Sequence, residues 1–315
     1  MPSLAQAGRG LALGAIAGLG IYRPAANAPL ARRVTGADLA GVSYRVHADQ
    51  GLSTPTLAAG AARAALQAAG INSVDIEMIV VGTTTPDVLW PTTACLVQTE
   101  LKLPMVASFD LYAAETSVLS ALNVGIRYVT GGARAVLVIG ADSDNQLVDL
   151  PGQSGRAHGR AAAAAVLTQA GDNGGVLSAM AGGAAQPDGN GDAHDRMLLR
   201  GLTEGATECL QKADLAISDI DLVIGEQSAP EITKAWSRLA GVAPERVVLD
   251  EARYGSLLAA APLTALHDAV KTGRLQKGMT ALLLACGSGP CWAAACLRWG
   301  GGGIASASPG VERRA

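Results

Sequence analysis

An acidic side chain at the start of a buried helix is the first feature of this 315-residue sequence that could do chemistry. In FDLYAAETSVLSAL (109–122), Phe109-Asp110-Leu111 reads as a short strand, the chain breaks at Tyr112-Ala113-Ala114, and an apolar segment follows Glu115. Val118, Leu119, Leu122, Val124 and Ile126 are too densely apolar for a surface helix, so the spacing predicts a buried one with Glu115 in its first turn. Backbone N–H groups without helical partners and the positive end of the helix dipole stabilise an anion there, a setting suited to a nucleophile or a carboxylate. The cysteines, Cys95, Cys209, Cys286, Cys291 and Cys296, form no CxxC pair and share no metal-ligand spacing with histidine. A reduced, cytoplasmic chain with no metal site is expected.

The elements that must hold Glu115 follow from the rest of the chain. Apolar runs of strand length at Ile76–Val81, Val136–Ile139, Leu222–Ile224 and Ala281–Leu284 alternate with helical patterns, which predicts an α/β fold with largely buried strands. Hydrophobic residues make up 49% of the chain, enough for a substantial core, while aromatics are only 3%, so Ala and Gly must serve tight helix–sheet packing. The net charge of −3 and the scattered Lys and Arg residues argue against a nucleic-acid partner. Leu11–Ile21 is too short to span a bilayer and leads into Tyr22-Arg23-Pro24, so it reads as a first strand and turn.

A repeat runs through this pattern. Leu66-Gln67 recurs as Leu210-Gln211 and Ala121-Leu122 as Ala265-Leu266, each 144 residues on. SVDIEMIVVGTTTP (73–86) echoes SDIDLVIGEQSAP (218–230), and RAVLVIGAD (134–142) echoes MTALLLACG (279–287). Two copies of one α/β unit are expected, residues 1–170 and 171–300. The Gly-, Ala- and Asp-rich stretch from Gly171 to Asp195 reads as an exposed connection, and residues 301–315 as a disordered tail.

In this order the motifs resemble those of thiolase-fold condensing enzymes of the β-ketoacyl-ACP synthase III family. They are GLGIYRPA (18–25), ADLAG (37–41), IVVGTTTPDVLWPTTACLVQ (79–98), FDLYAAETSVLSAL (109–122), VLVIGAD (136–142), GEQSAPEI (225–232), ARYGSLLAAAPLTAL (252–266) and CGSGPCWAAACLRW (286–299). The resemblance implies a pseudo-duplicated five-layered αβαβα fold, which the repeat supports independently. It also implies an acyl-CoA or acyl-carrier-protein thioester as substrate, no separate cofactor, and a dimer whose sheets meet across a two-fold axis.

The same resemblance marks departures. The family's Cys, His and Asn positions correspond to Glu115, Glu226 and Ser256. A carboxylate is a poor nucleophile toward a thioester, and an ionised Glu226 opposes enolate charge, so ordinary condensation is not expected. Cys95 matches a structural position and reads as packed and inert. Of the family's CoA clamp, Thr35 and Leu39 replace the expected Trp and Arg and only Arg45 is kept in kind, which favours a carrier-bound substrate, or none. Two carboxylates facing one pocket divide naturally into general base and general acid, with the oxyanion held by the backbone N–H groups of Glu115 and Ser288. Ser256 either donates a hydrogen bond there or caps a helix. Trp90, Tyr112 and Arg45 are the expected substrate-pocket residues, with Trp90 entering the neighbouring subunit or packing in a core. Arg160 replaces a family Asp and needs a buried partner, and His158 reads as a packed histidine. The rival readings are a non-catalytic partner subunit paired with a Cys-bearing paralogue, and a malonyl-thioester decarboxylase.

Overall fold

A computed structural model describes residues 11–23, 53–143, 160–171, 174–185, 191–225, 230–249, 256–287 and 289–308. Among these, β1 (Ala15–Tyr22), β2 (Ile76–Gly82), β3 (Ala107–Leu111), β4 (Ala135–Asp142) and β5 (Ala161–Thr168) lie side by side in the order β1-β5-β4-β2-β3. The strands β6 (Gly175–Gly183), β7 (Leu222–Gly225), β8 (Val247–Val248), β9 (Thr280–Gly287) and β10 (Cys291–Arg298) repeat it as β6-β10-β9-β7-β8. The pairing directions repeat as well, two antiparallel ladders followed by two parallel ones in each sheet. The duplication seen in the residues is therefore a duplication of topology.

Helices fill three layers around the two sheets. On the outer face of the first sheet lie α1 (Thr54–Ala69) and α2 (Thr93–Glu100), and on the outer face of the second α4 (Gly191–Ala213) and α5 (Pro230–Leu239). Between the sheets run α3 (Ser117–Thr130) and α6 (Ala261–Lys271), each touching strands of both. Small residues permit this closeness. A Cβ at Gly20 would lie 2.2 Å from the Ala65 backbone nitrogen of α1, and one at Gly125 2.7 Å from Val138. Among the described residues no helix is long and apolar enough to cross a membrane.

Two expectations fail. Within Gly171–Asp195 the chain forms β6, buried from Gly175 to Ala179, and α4 begins at Gly191. Helices α3 and α4 touch this strand, and two of its glycines meet close neighbours: a Cβ at Gly175 would lie 2.3 Å from the Gly14 carbonyl oxygen and one at Gly182 2.8 Å from Trp292 Nε1. The expected tail also contains a strand, β11 (Gly303–Ala307), parallel to β1 from Gly18↔Gly303 to Tyr22↔Ala307. Ile304 packs on the central core, and a Cβ at Gly303 would lie 2.0 Å from the Ala68 carbonyl oxygen, so glycine is what lets the strand reach α1. The Ser306 hydroxyl lies 3.3 Å from Nε2 of buried His267, whose Nδ1 lies 3.1 Å from Asp268, itself paired with Arg23 at 3.0 Å. Residues 309–315 lie outside the described ones. Removing residues 300–315 is expected to cost about 2 kcal/mol or more, from lost ladder bonds at about 0.5–1.5 kcal/mol each, and to lower the Tm by several degrees. An unchanged Tm in differential scanning calorimetry would show β11 to be dispensable.

Candidate active site

At the end of β3 the chain makes a 3-10 turn, Ala114–Thr116, directly before α3. The turn is held by its own hydroxyls: Ser117 Oγ accepts from the Ala113 N–H at 2.9 Å and donates to the Ala114 carbonyl at 2.6 Å, while Thr116 Oγ1 donates to the Ala113 carbonyl at 2.7 Å. Ala114 sits at φ +47°, a left-handed conformation that costs a non-glycine residue strain and is kept only where its surroundings over-determine it. The result is a fixed platform. It directs Glu115, 4% exposed, across the central layer to the β9–β10 hairpin.

There the carboxyl lies on Gly287. A Cβ at Gly287 would stand 1.9 Å from Glu115 Oε2 and 2.3 Å from its Cδ, so any side chain at 287 would occupy the carboxyl's place. The cross-strand neighbour of Gly287 is Cys291, whose Sγ lies 3.7 Å from the Ala113 carbonyl and 3.9 Å from that of Gly287. Burial pushes the Cys291 thiol up, a hydrogen bond with Thr116 pulls it down, and the charge of Glu115 pushes it up again. A carboxylate, a thiol and a hydroxyl thus meet at the start of a buried helix.

The duplicated half repeats the turn without the chemistry. Leu258 also sits at φ +47° and leads the 3-10 turn Leu258–Ala260 into α6, each feature 144 residues beyond its counterpart. The residue matching Glu115 is Ala259, and its N–H donates to Asp142 Oδ2 at 2.8 Å, at the end of β4. The other oxygen of Asp142 accepts from the Thr84 N–H at 2.7 Å and from the hydroxyls of Thr83, Thr84 and Thr85 at 3.2, 2.9 and 2.9 Å. Burial pushes the Asp142 carboxyl above the ordinary range, and these donors oppose the rise. At the mirror position the carboxylate belongs to the strand and ties down the GTTTP loop. At Glu115 it belongs to the turn.

Ser256 is buried just before the second turn, and that turn touches the first. The N-cap residues of that turn and of α6 are Leu257 and Ala260, neither of which supplies a side-chain cap. Trp90 and Tyr112 stand 82% and 72% exposed. Cys95 is half-buried rather than packed away. Hydrogen bonds from Ser108 and Thr92 hold its thiol below the usual range. Arg160 is buried at the start of β5. Glu226, Ser288, Arg45, Thr35, Leu39 and His158 lie outside the described residues. The sequence reading missed Cys291 and Gly287. The Gly-Ser-Gly-Pro-Cys run could have signalled a tight hairpin that sets the two opposite each other.

Residues 109–184 match the model of 3-oxoacyl-[acyl-carrier-protein] synthase III, and residues 210–299 that of its C-terminal part. The chain is 34% identical to a β-ketoacyl-[acyl-carrier-protein] synthase III of Coxiella burnetii, over 90% of this chain and 98% of that one. It belongs to the β-ketoacyl-ACP synthase III family. The crystal structure of the 3-oxoacyl-[acyl-carrier-protein] synthase III of Aquifex aeolicus superposes with a TM-score of 0.79 at 28% identity, over 91% of this chain and all of that one. A priming β-ketosynthase of the R1128 polyketide pathway, 23% identical, shares the fold with a TM-score of 0.78 over 93% of this chain and 98% of that one. The five-layered thiolase-like arrangement is thus the fold of this synthase III chain. Its N-terminal family match opens on the strand and turn that carry Glu115, whereas β11 lies beyond the C-terminal match.

Proposed function

We propose that this synthase III relative is an acyltransferase that accepts an acyl group from a carrier-protein or CoA thioester and works by carboxylate acid–base chemistry. Its place would be in polyketide or other specialised-metabolite biosynthesis. The observation that carries this reading is the burial of Glu115 at the start of α3 with its carboxyl on Gly287. An unneeded residue in such a site drifts toward small or apolar types, because burying a carboxylate costs several kcal/mol unless it is compensated. In the proposed reaction Glu115 removes the proton from an alcohol, amine or carbon acid, and the acceptor attacks the thioester carbonyl. The departing thiolate takes up a proton, and Glu226, which stands where the family has His, is the proposed second carboxyl for that step. The test is release of free thiol from a panel of acyl-CoA and acyl-carrier-protein donors, with and without small alcohols and amines. Acceptor-dependent release supports the reading and identifies the donor. Silence with every donor from a well-folded protein overturns it.

A surface observation favours an assembly, and with it the alternative of a partner subunit. Leu89, Trp90, Met105 and Tyr112 are 80%, 82%, 100% and 72% exposed, and β3 beside them is an edge strand of its sheet. Large apolar groups around an open edge are costly in a lone chain. The proposed assembly is a homodimer, or a heterodimer with a Cys-bearing paralogue. Sedimentation equilibrium should show the wild type as a dimer, and the double variant Leu89→Ser, Trp90→Ser with a dissociation constant at least about tenfold higher. A wild-type monomer that stays monomeric with such a paralogue would remove both forms.

A further inference from the structure

We propose that Cys291 is the covalent nucleophile of this site, with Glu115 as the base that activates it, so that transfer passes through an acyl-cysteine on β10. The inference rests on the acyl-transfer reading above and adds a residue and an intermediate to it.

Geometry separates Cys291 from the other cysteines. On β10 side chains alternate, and Trp292 faces α4, where it lies against Gly201 and Gly205. Its neighbour Cys291 therefore points to the opposite face, toward the Ala114–Thr116 turn, as its approach to the Ala113 carbonyl shows. Cys286, the cross-strand partner of Trp292, packs with Cys209 and Cys296 in the core beneath α4. Burial pushes Cys209 up to about 11 and Cys296 to about 12, so neither offers a thiolate near neutrality. The side chain of Cys95 bonds to Ser108 on β3. Cys291 alone of the five is placed at the Glu115 turn. It is only partly buried, and its register partner Gly287 is the residue on which the Glu115 carboxyl rests.

The surroundings fit a thiol that stays protonated until a base acts. Burial and the charge of Glu115 raise its proton affinity, so attack needs a base close by, and the Glu115 carboxyl lies at Gly287, the cross-strand partner of Cys291. Glu115 takes the S–H proton and the sulfur attacks the donor thioester carbonyl carbon. The tetrahedral adduct collapses by breaking the donor C–S bond, and the departing thiolate takes the proton back from Glu115. The acyl group is now a thioester on Cys291. In the second half Glu115 removes the proton of the acceptor O–H or N–H, the acceptor attacks, and the Cys291 thiolate leaves and is reprotonated by Glu115. No oxidant or reductant is needed, because one thioester is exchanged for another and then discharged.

The experiment is acid quench of the full-length protein after mixing with acyl-CoA and acyl-carrier-protein donors in the absence of acceptor, followed by intact-mass and peptide mapping. The expected result is a gain of one acyl group per chain on the Cys291 peptide, labile to neutral hydroxylamine, with a burst of free thiol. Cys291→Ala should abolish the adduct and lower acceptor-dependent thiol release by at least about 10²-fold, and Glu115→Gln should slow acylation by about 10²-fold. Should Cys291→Ala not fold, wild-type protein still answers: donor pretreatment should protect Cys291 from iodoacetamide at least about tenfold while leaving Cys95 labelled. An adduct on another residue, or Cys291→Ala turning over at the wild-type rate, overturns the nucleophile but leaves direct acyl transfer standing. Absence of any thiol release from wild type overturns the acyl-transfer reading and the nucleophile together.

Discussion

Glu115→Gln is expected to lower acceptor-dependent thiol release by about 10²–10⁴-fold, the range a positioned general base contributes, while the protein remains folded. Glutamine keeps the length and shape of the side chain that lies on Gly287, so packing in the central layer is preserved and only the ability to take a proton is removed. The same argument predicts that Gly287→Ala acts through position. Its new methyl would lie 1.9 Å from Oε2, so the carboxyl must move, and rates should fall even though no reacting group has been changed. Measuring kcat and KM together separates the cases. A loss confined to kcat marks Glu115 as acting in the transition state, and a loss confined to KM reassigns it to substrate binding. Wild-type kinetics in Glu115→Gln would end its role as the base.

The largest stability effect is expected from Asp142→Ala, about 3–5 kcal/mol and a Tm lower by roughly 10 °C. Removing this one carboxylate orphans the N–H groups of Thr84 and Ala259 and the hydroxyls of three successive threonines, of which Thr83 and Thr85 are buried and Thr84 half-buried. The loss would loosen both the GTTTP loop and the turn before α6. Its pH dependence has a definite sign. Burial raises the folded-state pKa of Asp142 above the unfolded one, so the wild type's advantage over the variant is greatest below about pH 4. It shrinks as pH rises through the folded value. Thermal melts of both proteins between pH 4 and 7 provide the check. A gap that widens with pH would mean the donors outweigh burial and lower the pKa instead.

Much of the architecture was written locally. The four apolar runs became β2, β4, β7 and β9, and the dense apolar stretch after Glu115 became α3, because burial on both sides leaves a signature in the residues themselves. The interval of 144 residues reappears in the paired left-handed residues Ala114 and Leu258, since two copies of one unit must bend at the same place. That an acidic residue would be buried at a helix start was legible for the same reason.

Other features depended on neighbours far along the chain. The Gly- and Ala-rich β6 and β11 look like loop and tail by composition, and became strands because β10 and the open edge of β1 pair with them while Val176, Leu177 and Ile304 pack into cores built from distant parts of the chain. The Gly-Ser-Gly-Pro run before Cys291 marks a tight hairpin in the sequence but not what the thiol faces. Its place beside Glu115 follows from hairpin register, strand alternation and the layering of one half against the other. The sequence by itself determined the elements, their duplication and the carboxylate at the start of α3. Only the tertiary structure decided what that carboxylate faces, because the contact between the turn and the β9–β10 hairpin joins the two halves, and no local propensity encodes it.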